Sequence, residues 1–144
     1  MHRFIKIRLI RDYESLEDRV RTWREVFLGF REAMFRPAAD LFETTQGLVL
    51  RLEVPGVAPE DLSVALAGQE LIIRGRRFAS HPPGTKRFLH QELVYGPFER
   101  SFLLPLPIDP EQVQAFCLNG ILEVVLPRPA VRRIPVTTEN DQDD

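Results

Sequence analysis

The sequence contains few of the residues that support catalysis, disulfide bonding or metal binding. Its 144 residues include one cysteine and three histidines, so no disulfide can form within the chain. His81 and His90 have no further ligand type nearby at metal spacing. No Gly-x-x-x-x-Gly-Lys-Ser/Thr loop is present to hold a triphosphate. These absences argue against an enzyme and against a bound cofactor or metal.

The chain also lacks a strong charge of one sign and a long apolar run. Its formal net charge is −2, which gives no reason to expect a nucleic-acid partner. Charged residues near the N-terminus are too closely interspersed for a signal-peptide core or a membrane span. We therefore expect a cytoplasmic protein without a membrane span. An immunoglobulin-like adhesion domain, which would usually be secreted, is disfavoured for the same reason.

Residues 1–37 are predicted to be an N-terminal arm that carries an amphipathic helix. Six apolar residues recur at spacings of three and four and share one helical face: Leu16, Val20, Trp23, Phe27, Phe30 and Met34. Before this helix, three apolar residues alternate with two basic ones over residues 5–9. That pattern suits either a short strand or an extended basic arm.

From residue 38 to residue 127 the apolar period changes to two and turn signals multiply. The Asn119-Gly120 pair tolerates positive φ and suits a two-residue hairpin turn. The proline-rich residues 104–112 cannot be a central strand, so they should cross between sheets, with Asp109 capping a short turn. Seven or so short strands without a convincing helix predict an all-β, immunoglobulin-like antiparallel β-sandwich.

Residues 128–144 are predicted to be a C-terminal extension with one apolar triplet. In an extended tail Ile134 and Val136 point the same way, and Pro135 between them restricts φ and lowers the entropy lost on docking. Residues 137–144 are acidic, lack large apolar side chains and should be disordered. Taken alone, the triplet can also be incidental.

Four stretches of the chain resemble, in order and spacing, the small heat-shock proteins, whose central unit is the alpha-crystallin domain. They are VPGVAPEDLSV (residues 54–64), GPFERSFLLP (96–105), AFCLNGIL (115–122) and the detached IPV (134–136). The second matches the family signature Gly-x-Phe-x-Arg-x-x-x-Leu-Pro and the third matches Ala-x-x-x-Asn-Gly-x-Leu. The tail departs slightly, since Ile-x-Ile is the commonest form there.

The resemblance implies an ATP-independent holdase chaperone without cofactors. Such proteins bind partly unfolded client proteins, keep them from aggregating and hand them to ATP-dependent chaperones. It also implies a homo-oligomer built from dimers. The alternative function is a monomeric co-chaperone of the related sandwich type that docks on one ATP-driven chaperone and needs no apolar tail plug.

The resemblance further implies that Ile134, Pro135 and Val136 form an anchor on a neighbouring subunit. The anchor groove would lie between two strands and be lined by Leu62, Val64, Leu66, Val113, Ala115 and Cys117. From Pro127 to Ile134 an extended chain spans about 23 Å, which is enough to reach another domain. Cys117 lies among apolar neighbours in a strand, so we interpret it as inert packing.

A dimer interface is implied as well. Residues 78–94 are long for a hairpin connection, and in the bacterial and plant branch of the family this loop pairs with an early strand of the other subunit, here residues 39–44. The predicted contacts are Arg100, Phe88, Leu89, His90, Leu41 and Phe42. A flexible loop is the alternative.

Arg100 is predicted to share the apolar face of its strand with Phe98 and Phe102. A buried charge without a partner is costly, so an acidic side chain of the same or the partner subunit should meet it. The alternative is a side chain that snorkels to solvent at a sheet edge.

Client binding is assigned to the aromatic residues of the arm: Trp23, Phe27, Phe30 and Phe35. These residues would be exposed to unfolding proteins on heating or dissociation. The alternative is that they only build the interior of the oligomer, and both roles can hold together.

Overall fold

The computed structural model describes residues 3–9, 35–131 and 134–138. The predicted helix of the N-terminal arm lies outside these residues. The described part contains two 3₁₀ turns, Pro59–Asp61 and Pro110–Gln112, and nine strands. The strands are β1 (Arg3–Ile5), β2 (Ile7–Leu9), β3 (Ala39–Glu43), β4 (Gly47–Glu53), β5 (Leu62–Ala67), β6 (Glu70–Arg77), β7 (Gly96–Leu103), β8 (Gln114–Leu118) and β9 (Ile121–Pro127).

The strands form two sheets that pack face to face. One sheet has the order β1-β8-β9-β4-β3 and the other β2-β5-β6-β7. All neighbouring strands are antiparallel except β2, which runs parallel to β5. The predicted all-β sandwich is confirmed.

The core lies between the sheets because each strand turns its alternate apolar residues inward. Leu48, Leu50 and Leu52 of β4 are buried on one side, while Val64 of β5 and Ile73 of β6 are buried on the other. They belong to one continuous apolar cluster. Burying a side chain of this size stabilises the fold by about 1.5–3 kcal/mol, so the period of two in the sequence determines which face of each strand points inward.

The two turn predictions are confirmed. Asn119 and Gly120 have φ values of 50° and 76° and join β8 to β9, as a two-residue hairpin turn requires. The proline-rich residues 104–112 carry the chain from the second sheet to the first. Within them a carboxylate oxygen of Asp109 accepts a hydrogen bond from the Glu111 amide at 3.1 Å, which caps the turn that Pro110 begins.

Gly75 allows an aromatic side chain to close one end of the core. Phe98 is opposite Gly75 in the register of β6 and β7, and a Cβ at Gly75 would lie 2.5 Å from Cζ of that ring. The ring is buried and Phe35 packs against it edge-on, with 5.5 Å between centroids. This contact attaches the end of the N-terminal arm to the sandwich.

Candidate functional site: the groove between the sheets and the exposed tail

The predicted anchor groove is an apolar surface at one side of the sandwich. Its six residues all belong to the core cluster or pack against it; Leu62, Val64, Leu66 and Ala115 are buried, and Val113 and Cys117 are partly buried. β5 lies in one sheet and β8 in the other. Because Lys6 alone separates β1, which pairs with β8, from β2, which pairs with β5, both strands must lie along the same side of the sandwich.

The N-terminal segment, residues 3–9, lies in this groove. Ile5 is opposite Ala115, Ile7 is opposite Val64 and Leu9 is opposite Leu66. These three apolar residues are partly buried against the core, whereas the alternate residues of the segment are exposed. Of the two interpretations left open for this pattern, the structure contains strand, divided at Lys6 into β1 and β2.

Sequence reasoning missed this occupant of the groove, although a signal was present. Ile5-Lys6-Ile7 places two aliphatic side chains two residues apart, which is the same spacing as in Ile134-Pro135-Val136. In an extended chain such residues point to one side. Both segments therefore have the pattern that fits a narrow apolar groove.

The N-terminal segment does not fill the groove completely. A cleft of about 600 Å³ lies between it and the 3₁₀ turn Pro59–Asp61, with Leu62 and Ser63 in its wall. A second cleft of about 260 Å³ separates it from Pro110 and Val113. Open space on both flanks means that the groove is wider than the strand lying in it.

Cys117 lies at the β8 side of the groove as a packing residue. Burial raises the pKa of its thiol, which keeps the sulfur protonated and poorly nucleophilic at neutral pH. This agrees with the interpretation of Cys117 as inert.

The tail is not docked on its own domain. The relative exposures of Ile134 and Val136 are 84% and 88%, and that of Val131 is 91%. The start of the tail is held in place, because the backbone N–H of Arg128 donates to the Gln46 carbonyl at 2.8 Å and its guanidinium pairs with Glu43. The apolar triplet is therefore free to meet another surface.

The predicted dimer loop is exposed and irregular. Residues 78–95 contain no strand in the described chain. Phe88 and Leu89 are exposed, and Nε2 of His90 lies 3.2 Å from Oε1 of Glu92, with both side chains exposed. The ring of His81 lies edge-on to Phe88, with 4.8 Å between centroids. The loop thus presents apolar side chains that the sandwich does not cover.

β3, the strand proposed to receive that loop, is at the edge of the five-stranded sheet. Leu41 packs against the core, while Phe42 faces outward beneath the guanidinium of Arg51, at 5.2 Å from the ring centroid. An edge strand presents backbone donors and acceptors that can pair with another chain. The structure therefore places Leu41 and Phe42 on a strand that another segment can extend.

Arg100 has the predicted strand face and an unforeseen partner. It is opposite Ile73 in the register, between Phe98 and Phe102 on the core-facing side of β7. Its Nη1 donates to the Pro37 carbonyl at 2.7 Å, and its guanidinium lies 5.1 Å from the centroid of the Phe102 ring. Within the single chain a backbone carbonyl thus supplies the hydrogen bond; an acidic counterion from a partner subunit stays a prediction.

Of the four predicted client-binding residues, Phe35 is described and the other three, Trp23, Phe27 and Phe30, lie outside the described residues. Phe35 is partly buried against the core, and the guanidinium of Arg77 lies 4.2 Å from its ring centroid. This side chain would have to leave the sandwich before it could contact a client.

Residues 3–9, 35–131 and 134–138 include no group of three or more His, Cys, Asp or Glu side chains that could hold a metal ion. In the same residues, no helix is long and apolar enough to cross a membrane.

Two known proteins are similar to this chain in sequence. Spore protein SP21 of Stigmatella aurantiaca is 33% identical over 111 residues, which cover 75% of this chain and 66% of that protein. Small heat shock protein C2 of Rickettsia felis is 32% identical over 92 residues, which cover 64% and 60%. The chain thus spans slightly less than two thirds of the length of these relatives.

A solved structure and a family model also match this chain. The crystal structure of a small heat-shock protein from Xylella fastidiosa has a TM-score of 0.64 and 30% identity, covering 75% of this chain and 100% of that one. The model of the Hsp20/alpha crystallin family matches residues 40–138. The chain belongs to the Hsp20/alpha crystallin family of small heat-shock proteins.

Proposed function

We propose that this chaperone is an ATP-independent holdase that assembles from dimers into larger homo-oligomers. The layout is an N-terminal arm over residues 1–37, an alpha-crystallin domain over 38–127 and a C-terminal extension over 128–144. The observation that carries the proposal is the exposed apolar triplet beyond the sandwich, in which the relative exposures of Ile134 and Val136 are 84% and 88%. A monomeric co-chaperone has no use for such a tail.

The tail is the proposed link between dimers. Burying one isoleucine and one valine contributes roughly 3–6 kcal/mol before the cost of ordering the tail, so a single docked anchor is weak. Many anchors that close one particle act at a high effective concentration. The assembly can therefore be stable while each link opens quickly. The solved relative from Xylella fastidiosa, described as having a distinct high order structure, supports such an assembly.

The dimer is proposed to form by strand addition. Residues 78–94 of one subunit would pair with β3 of the other, which brings Phe88, Leu89 and His90 against Leu41 and Phe42. The exposure of this loop and the free edge of β3 support the pairing. Arg100, which holds the Pro37 carbonyl just before β3, would fix the strand that receives the loop.

Clients are proposed to bind the N-terminal arm at Trp23, Phe27, Phe30 and Phe35 and to be handed to ATP-dependent chaperones. No enzymatic step, cofactor or metal is required, because binding alone prevents aggregation. A cytoplasmic location is consistent with this role.

The holdase proposal predicts suppression of client aggregation without nucleotide. Citrate synthase heated to aggregation, with an ATP-depleting enzyme present, should scatter less light as the chaperone concentration rises. An unrelated β-sandwich protein at equal mass is the control. Aggregation that proceeds at the control rate would refute the holdase function.

The anchor predicts a loss of particle mass on tail substitution. Ile134→Ala with Val136→Ala removes most of the buried apolar area of the link, so large particles should give way to dimers or small species, as measured by light scattering. Val131→Ala is the matched control, because Val131 is an equally exposed apolar residue of the same tail. Unchanged mass in the double variant, or an equal loss in the control, would contradict a specific anchor.

The dimer proposal predicts monomers when residues 79–93 are deleted. Arg77 and Gly96 are opposite each other in the β6–β7 register, so Phe78, Val94 and Tyr95 can join the strands as a three-residue hairpin loop and the sandwich is preserved. Sedimentation should show monomers, with cooperative thermal unfolding as the check on folding. Dimers that persist in this variant would remove the loop from the interface.

A further inference from the structure

Two segments of this chain have the same spacing of aliphatic residues, and both fit the groove between β5 and β8. Ile5 and Ile7 are already opposite Ala115 and Val64, and the tail offers Ile134 and Val136 with the same spacing. β1 pairs with the edge of β8 and β2 pairs with the edge of β5. While these pairs exist, no second strand can pair with either edge of the groove.

We propose that residues 3–9 are an internal ligand of the groove, and that the Ile134-Pro135-Val136 segment of a neighbouring chain docks only after they leave it. The proposal rests on the anchoring function proposed above and adds its regulation. It identifies two states of each subunit, one closed by its own N-terminus and one closed by the tail of a neighbour.

In an isolated subunit, residues 3–9 bind the groove more strongly than the tail of another chain does. The internal ligand presents three apolar side chains, Ile5, Ile7 and Leu9, where the tail presents two. Its central residue, Lys6, retains an amide donor that Pro135 lacks. It is also tethered to its own groove, which gives an effective concentration on the order of millimolar. A free tail at lower concentration therefore does not displace it.

The internal ligand is nevertheless replaceable. Its three inward side chains are only partly buried, and the two clefts at its flanks leave room in the groove. Many tails closing one particle act together, whereas each N-terminal segment acts alone. Because coupling between two ligands is reciprocal, assembly through the tails favours release of residues 3–9, and release of residues 3–9 favours assembly.

Displacement also connects the groove to the client-binding arm. Residues 3–9 are continuous in sequence with the apolar stripe from Leu16 to Met34. An arm that is attached to the groove at one end and to Phe98 through Phe35 at the other is tied to the sandwich at both ends. Tail docking would free the first of these attachments.

A reversible cross-link tests the competition. Phe4 and Phe116 are opposite each other in the β1–β8 pair and their ring centroids are 6.2 Å apart, so Phe4→Cys with Phe116→Cys should form a disulfide within one chain. The full-length host also carries Cys117→Ala, to remove the natural thiol, and Ile134→Gly with Val136→Gly, to silence its own tail. The probe is a fluorescent peptide of residues 128–138, with binding followed by anisotropy.

The expected result is that the oxidised chain binds the peptide at least about tenfold more weakly than the reduced chain, because the locked state leaves few groove sites competent to bind. Reduction should restore binding. Phe4→Cys with Phe42→Cys is the matched control: these residues are at opposite edges of the five-stranded sheet, roughly 19 Å apart at normal strand spacing, and should not cross-link within a chain.

Three outcomes would overturn the proposal. Equal peptide binding before and after oxidation would show that residues 3–9 do not block the groove. Cross-links between chains instead of within a chain would show that the segment is exchanged rather than internal. Peptide binding to neither form, with the cross-link made within the chain, would refute the tail anchor itself and would leave residues 3–9 as a fixed part of the fold.

Discussion

The open apolar side of the sandwich, between β5 and β8, is the constraint on which the other features depend. Val64, Leu66 and Ala115 line it. On this side β5 and β8 are the last strands of the domain itself, and each pairs there with a strand of the N-terminal segment. Water is a poor partner for the side chains, so an apolar extended segment must cover them. In the proposed scheme, the identity of that segment decides whether a subunit is closed on itself or linked to another.

Two segments of one chain can cover this apolar side, because covering it requires only a short sequence pattern. It needs aliphatic residues two positions apart on an extended backbone, and both ends of this chain supply them. The N-terminal segment lies in the groove of the chain to which it is tethered, whereas the proposed docking of the tail would gain from the number of tails in one particle. In the proposed assembly, a balance between one strong contact and many weak ones would allow subunits to exchange and apolar surface to be presented to clients.

The domain itself was predictable because its signals are local. The alternation of apolar residues in β4 and β9 identifies their inward faces, the Asn119-Gly120 pair identifies the hairpin, and Asp109 before Pro110 identifies the capped turn. Each of these depends on a few neighbouring residues. The family signatures around Gly96 and Ala115 then located the fold with little ambiguity.

The features that the sequence did not predict depend on contacts between residues that are far apart in sequence or in different subunits. Residues 3–9 form two three-residue strands, too short for periodicity to separate a strand from an extended arm, and their place depends on pairing with β8 and β5, which are distant in sequence. The contact of Arg100 with the Pro37 carbonyl has no sequence signal, because any residue has a carbonyl. The loop of residues 78–95 contains no strand, and the strand proposed to pair with it belongs to another subunit.

Amide hydrogen exchange in the assembled and the dissociated protein tests the central claim most directly. The account predicts slow exchange at residues 3–9 and fast exchange at Ile134 and Val136 in dissociated subunits, and the reverse in the assembled particle. Residues 3–9 that are equally protected in both states, or a tail that exchanges fast in both, would contradict it.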